Sequence, residues 1–564
     1  MLVLAFPWWK ERRQALVPLP RNQSASAMER YCKLAGEAGL RHRPVVMWNP
    51  ENPSAEASAY GLPGHYRVAV APAVFASERR HPSAFETIIR HELAHVRNKD
   101  ILISYFAVSS WYALLPALAA PLMLRFAVRD FSLVPDYAMR AVALSLAVYL
   151  VRAGLLRSRE HYADIRAASW TPDNRTIAVA FAAVPSQRPV HGIAQWFALH
   201  PTRAQRGQAL RDPSLLGRPQ AAELLAASFT AGAALPLLRD LIASMPGITV
   251  VDAGYAARSA LFGLLGAYVG AVVVRAGATG HLANRVTGIL AGMIVIGLSG
   301  GQFLSLGGTG LLQDAPRDLA GNGVTSVLCG ALTVVGCDIG RLHGRSRNRL
   351  SPQGDAVASS LVYAGAFALA ANAALAVSAV IRGNAMQFLW SQYLPFTLTN
   401  GGWATALAAL VAAVASARLI TAHHFGTRVK IILMLGCTPG ITAALCAAAI
   451  RWHTGTFTSD DAAWNYYLTS LWLIAAGASV AAVASTLASA PARTAAGAVS
   501  STAAVIVGCA AFVLINRPFG SSLGSGDAIT MMRLTGGLAT MTALPLSALT
   551  SLIAGSIHNH KSSI

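Results

Sequence analysis

His91-Glu92-Leu93-Ala94-His95-Val96-Arg97-Asn98-Lys99-Asp100 runs directly into an apolar segment, 101–124, and that junction sets the reading of the chain. Two histidines four apart stand on one face of an α-helix, so both imidazoles can reach one metal ion. A glutamate directly after the first histidine can hold and deprotonate a metal-bound water. The apolar segment that follows puts this chemistry beside a bilayer. The pattern implies a metal-dependent hydrolase, most economically a zinc peptidase tied to a membrane.

The composition agrees. The 564 residues are 54% hydrophobic and only 12% charged, against about 25% charged for a soluble domain. Apolar runs of about 20 residues, the length that spans hydrocarbon as a helix, recur from residue 101 to the C-terminus. The expected fold is a polytopic α-helical membrane protein with a small α+β domain. The formal net charge of +20 reads as positive-inside topology, since the basic residues fall in short loops and one polar region. Nucleic acid is not an expected partner. Six cysteines without a CxxC pair give neither a disulfide framework nor a cysteine metal site. The apolar run 2–6 is too short for a cleavable signal peptide, and Trp8-Trp9-Lys10 suits a membrane interface instead.

Along the chain, 1–100 reads as the first part of a catalytic domain, 101–156 as a transmembrane hairpin and 157–218 as the second part of that domain. Residues 219–564 read as a multi-span region of about ten helices, near 221–238, 257–274, 286–308, 319–337, 356–381, 395–417, 429–450, 466–489, 495–515 and 532–556. Within the first part, 24–43 predicts an amphipathic helix ending near Gly39, 43–48 a short strand, and 57–75 two strands around Leu62-Pro63-Gly64. Ser83 with Glu86 matches a capping box, starting the motif helix over 83–100. Asp136 and Arg140, four apart in the second span, are placed to pair. Leu298-Ser299-Gly300-Gly301-Gln302 copies an ATPase signature, but the chain has no phosphate-binding G-x-x-x-x-G-K-[ST]. It therefore reads as glycine-rich helix packing.

Topology bears on the metal site. With 1–100 cytoplasmic, basic clusters such as Arg341 with Arg345, and Arg418, Arg428 and Lys430, fall on the inner side, and both termini are cytoplasmic. The hairpin returns the chain to the side it left, so 157–218 can meet the motif. A hydrolytic zinc has three protein ligands and an open position. Asn98 and Ile101 occupy the places where H-E-x-x-H-x-x-G-x-x-H needs glycine and histidine. Glu160, in Ser158-Arg159-Glu160-His161-Tyr162-Ala163-Asp164, is the better third ligand. Asp164, one turn on, could accept the second ring N–H of a ligand histidine.

Taken together, HELAHVRNKD at 91–100, EHYAD at 160–164 and His200-Pro201-Thr202-Arg203-Ala204-Gln205-Arg206 resemble the M48 peptidase family of CAAX prenyl protease and HtpX-like membrane metallopeptidases. The resemblance covers 24–215 and extends to Ser58-Ala59-Tyr60-Gly61, similar to the family's strand before the catalytic helix. It departs in having Ser58 or Ala57 where the family has a strand asparagine, and in lacking spanning helices ahead of the domain. The resemblance implies a zincin-like cytoplasmic domain with one Zn2+ per chain on His91, His95 and Glu160. It further implies Glu92 as general base, Asp164 as support, and His200 or Arg206 as oxyanion stabiliser. Ser58, Ala59, Tyr60 and Gly61 could bind an extended peptide by strand addition. The expected activity is hydrolysis of peptide bonds in membrane-associated proteins or peptides, in a multi-pass protein of the cell membrane. The alternatives are an M56-type sensor protease, or a peptide transporter or export component with a cargo-trimming domain.

Overall fold

A computed structural model describes residues 2–20, 25–51, 56–129, 131–132, 134–171, 192–306, 315–345, 360, 363–368, 426–455, 460–488, 493–516, 535, 539 and 542–554. The chain divides into two compact units, Met1–Leu216 and Gly217–Ile564.

The first unit opens with helix α1 (Leu2–Arg13) and a short strand β1 (Val17–Pro18). Helix α2 (Ala25–Glu37) buries Ala27, Tyr31, Leu34 and Ala35, the three-and-four spacing of a single apolar face. It stops at Gly39, whose φ of +63° only glycine adopts without strain. Strands β2 (Val45–Trp48), β3 (Ala57–Leu62) and β4 (His65–Val70) follow. The sheet order is β1-β2-β4-β3, with β2 parallel to β4 and the other pairs antiparallel, so β3 is an edge. The expected strand run 57–75 stops at Val70. Pro72, which has no N–H to give a sheet, sits at the start of helix α3 (Pro72–Arg80) instead.

The motif helix α4 spans Pro82–Asn98, and its start corrects the capping-box expectation. Pro82 is its first residue and His81 the preceding one, with no side-chain cap. Proline begins the helix because its missing N–H is one of those a helix start leaves unbonded anyway. Glu86 is thereby free to pair with Arg30 and Arg90, at 3.2 and 3.0 Å. Phe85, Ile89 and Leu93 pack under Val46, Val68 and Val70, fixing α4 against one face of the sheet. Lys99 then adopts the left-handed region (φ +58°) and breaks α4 from α5 (Ile101–Ala127).

Helix α6 runs unbroken over Val134–Ser169, 36 residues. At 1.5 Å per residue that is about 54 Å, whereas the hydrocarbon core is about 30 Å thick. The change of polarity at Arg157 marks a change of surroundings, not the end of the helix. Both α5 and α6 are long and apolar enough to cross a membrane, and Asp136 pairs with Arg140 at 2.9 Å. A 3-10 segment (Gly192–Phe197) and α7 (Arg203–Arg211) complete the unit.

Every regular element among the described residues of the second unit is a helix. Six more helices there, from Pro213–Ala243 to Ala496–Asn516, bring the described membrane-crossing candidates to eight. The protein is a multi-pass membrane protein. The expected spans 319–337 and 532–556 coincide in part with shorter apolar helices, Thr325–Asp338 and Thr542–Ala554. Those at 356–381 and 395–417 lie outside the described residues, apart from 360 and 363–368. The Leu298-to-Gln302 signature lies within helix Asn284–Phe303. A Cβ on Gly301 would overlap the Phe229 carbonyl of helix Ala221–Ala243, so glycine there permits close helix contact. Asp338 ties neighbouring helices, accepting hydrogen bonds from Thr494 (2.6 Å) and Ser551 (3.1 Å).

Gly61 has φ +115°, and a Cβ on it would overlap the His65 carbonyl across the β3–β4 turn. Gly61→Ala is expected to destabilise the first unit by about 1–3 kcal/mol, read as faster limited proteolysis of the purified protein. Unchanged resistance would contradict this strand geometry.

Candidate metal centre

Helices α4 and α6 converge on three side chains. His91 and His95, one turn apart on α4, are buried, as is Glu160 on the extension of α6. The His91 and His95 Nε2 atoms lie 3.2 Å apart. Glu160 reaches both, with Oε2 at 3.3 Å from His91 Nε2 and Oε1 at 3.6 Å from His95 Nε2. Ligands at about 2.0–2.1 Å from a tetrahedral zinc are about 3.3–3.4 Å from one another. Taking one ligand atom from each residue, the three lie within 4.8 Å of one another, close enough to share one ion.

The far sides of the rings define the tautomers. His91 Nδ1 is 2.9 Å from Asp164 Oδ1, and His95 Nδ1 is 3.1 Å from the Asp100 carboxylate. With Nδ1 donating in each ring, both Nε2 lone pairs point at the same place. Two such lone pairs at 3.2 Å repel unless a proton or a metal ion lies between them. This carboxylate–histidine arrangement is the one that orients metal-ligating imidazoles. The donor set, two imidazoles and a carboxylate, suits zinc. Burial alone disfavours the His91 imidazolium. The adjoining Asp164 and Glu160 outweigh that effect and push its pKa up to about 10. The same carboxylates would stabilise a divalent cation.

Further residues hold these groups in place. Arg206 grips both oxygens of Asp164, at 2.6 and 2.5 Å, and its Nη2 lies 3.4 Å from His91 Nδ1. It is carried by α7, whose start is fixed by a reciprocal capping box between Thr202 and Gln205. Arg157 donates to the carbonyls of Trp196 and Ala198, at 2.8 and 2.6 Å, anchoring the segment that leads to α7. Arg159 links Glu160 to the start of α5, donating to Glu160 Oε1 and Ser104 Oγ at 2.7 Å each.

Glu92 points to the sheet edge, where its Oε2 accepts the Ala59 N–H at 2.5 Å. The Gly61 N–H donates to the Tyr105 hydroxyl at 2.8 Å. Ala59 and Gly61 thus present their N–H groups outward from β3, while Ser58 and Tyr60 face β4 through the backbone. Ser58 accepts a hydrogen bond from Lys10, and Tyr60 is fully buried beneath it.

The structure therefore gathers His91, His95, Glu160, Asp164, Glu92 and Arg206. His200 is exposed and joins none of these contacts. Sequence reasoning missed Asp100, Arg159 and Lys10. Asp100 is five residues beyond His95, off the helical repeat, and reaches back only because Lys99 turns the chain. Arg159 stands in the segment already singled out at 158–166, where its charge beside Glu160 was a legible signal.

Residues 22–214 match the model of Peptidase family M48. The Protease HtpX homolog of Ralstonia pickettii is 29% identical over 203 residues, covering 31% of this chain and 68% of that protein. The Protease HtpX homolog of Burkholderia cenocepacia is 27% identical over 215 residues, covering 33% of this chain and 73% of that protein. No solved structure matches.

Replacing a carboxylate that orients a ligand histidine typically weakens metal binding about 10–100-fold. Asp100→Asn is expected to do so for zinc, measured by competition with a chelating indicator. Unchanged affinity would show that Asp100 does not position His95.

Proposed function

Because residues 22–214 match the model of peptidase family M48, we propose that the chain is a zinc-dependent membrane endopeptidase. On this reading it hydrolyses peptide bonds of membrane-associated proteins or peptides. The observation that carries this reading is the meeting of His91, His95 and Glu160 within 4.8 Å of one another, with Glu92 on the next position of the same helix.

In this proposal His91, His95 and Glu160 hold one zinc, which when bound acts as a Lewis acid and lowers the pKa of water at the site to about 7. Glu92 takes the proton from the attacking water and delivers it to the departing amine. Asp164 and Asp100 keep the two imidazoles in their Nδ1–H tautomers. Arg206, with both donors on Asp164, acts through that carboxylate and supplies positive charge behind His91. An extended peptide aligns along β3. Pairing with the outward Ala59 N–H takes that donor away from Glu92 and leaves its carboxylate free to work on water. No observation favours the sensor-protease or export readings.

Glu92→Gln keeps the side-chain size but removes the base. It is expected to retain zinc while losing about 10²–10⁴ in the rate of peptide cleavage, the usual contribution of a general base. The measurement is cleavage of an unfolded protein in detergent, with zinc content determined in parallel. Wild-type activity in this variant would sink the assignment.

The proposed orientation places the catalytic domain and both termini in the cytoplasm, supported by the basic inner loops. A reporter that works only outside the cytoplasm is expected to be active when joined in the loop at Arg129, and inactive when joined at residue 20. The opposite pattern would invert the topology.

A further inference from the structure

One cation beside the site has no part in the chemistry above. Lys10, in the last turn of α1, is half-buried, and its Nζ donates to Ser58 Oγ at 2.8 Å. It stands 4.8 Å from the centre of the Tyr60 ring. Both residues are on the edge strand, and Ala59 between them gives its N–H to Glu92. The ammonium is therefore held one residue along the edge from the atom that the proposed base grips.

Its neighbours show why this matters. Arg159 and Arg206 each lie on a carboxylate, Glu160 and Asp164. Lys10 forms no ion pair among the described residues, although it can donate three hydrogen bonds. The Tyr60 hydroxyl is buried and likewise has no hydrogen-bond partner among them. Cations withdrawn from water are ordinarily paired. Burial pulls the Lys10 pKa down to about 8, against the attraction of Glu92. The placement is enforced by packing: Phe6 of α1 contacts Tyr105 with ring centres 4.6 Å apart, and Glu11 pairs with Arg67 of β4. Tyr105 in turn holds the Gly61 N–H. Helix α1 is thus fixed to both ends of the strand segment that a peptide would line.

We propose that Lys10 is a specificity-determining residue of the peptidase site, its ammonium binding a carboxylate of the peptide laid along β3. The carboxylate is an acidic side chain or the free C-terminus. This rests on the peptidase reading above. A strand added to β3 brings side chains within about 4.5–5.5 Å of their opposite numbers. A substrate carboxylate on the Ser58 face therefore comes within reach of Nζ. A hydrogen bond to a charged group discriminates by about tenfold to a hundredfold.

The test uses the full chain in detergent with denatured casein as the probe. Cleavage sites are mapped by mass spectrometry for the wild type, Glu92→Gln, Lys10→Gln and Lys10→Glu. Peptides built on one mapped site then carry Asp, Asn or Lys at each flanking position in turn, with the C-terminus as free acid or amide. The wild type is expected to favour either Asp over Asn or acid over amide by about tenfold to a hundredfold in kcat/KM, mainly through KM. The Asp/Asn pair reports a side-chain carboxylate and the acid/amide pair reports the terminus. Lys10→Gln should bring the preferred ratio to about one, and Lys10→Glu should turn preference towards Lys peptides. The proposal is overturned if the wild type shows neither preference or Lys10→Gln keeps it. It is equally overturned if Lys10→Gln lowers all peptides alike, which is the mark of a structural role. Casein cleavage that does not depend on Glu92 would bring down the peptidase reading itself, and Lys10 with it.

Discussion

One constraint organises the first unit: the Glu160 carboxylate must arrive between two histidines of another helix. Helix α6 meets it by not ending where the membrane ends. From Val134 to Glu160 is 26 residues, or about 39 Å of helix, against about 30 Å of hydrocarbon. An upright span beginning at Val134 thus lifts Glu160 only a turn or two clear of the apolar layer. On the other side of the hairpin, His95 lies six residues before Ile101, where α5 begins. Glu160 is therefore carried on a short, stiff extension of α6, while the two histidines sit on α4, a separate helix set off from α5 by the left-handed Lys99. Rigid delivery of this kind is what a site needs when a displacement of an ångström costs coordination.

The charges around that centre make sense only as a set. Glu92, Asp100, Glu160 and Asp164 are four carboxylates, and Lys10, Arg159 and Arg206 are three cations. With both histidines neutral, as metal binding requires, the group carries a net charge of −1, and a divalent ion changes it to +1. The first state attracts a cation; the second favours negative charge developing on a substrate carbonyl oxygen. Separate ion pairs would have satisfied the carboxylates equally well. The structure instead divides them so that Asp164 and Asp100 hold ring N–H groups, which leaves two Nε2 lone pairs and Glu160 facing one another.

What the sequence made legible follows from the range of each interaction. His91 with His95, and Glu160 with Asp164, are one turn apart, so each pair is visible as helical spacing. The apolar helices are visible because crossing hydrocarbon imposes length. Asp100 is hidden because it depends on one left-handed residue, Lys99, that no periodicity announces. Lys10 is hidden because its partners are 48 residues away on the sheet edge. The boundary read at Arg157 shows a different limit. Polarity reports what surrounds a helix, and the backbone of α6 continues through a change in surroundings without interruption. At Pro72 and Pro82 the limit was local chemistry, since a proline that starts a helix was outweighed by the alternating pattern and the Ser83–Glu86 pair around it.

The edge strand links these threads. An exposed edge is a template for an added strand, and proteins generally protect such edges. Here the Ala59 N–H is protected by Glu92 and the Gly61 N–H by Tyr105, one a residue of the motif helix and the other of a spanning helix. On the proposed chemistry the protection and the catalysis use the same carboxylate. Only a chain that is extended enough to bond Ala59 displaces Glu92, so the base is released by the form of substrate that can be cut. A folded surface offers no free strand for that exchange and leaves Glu92 on the backbone. Selection for unfolded or extended segments then needs no separate gate, because it is built into the competition for a single N–H group.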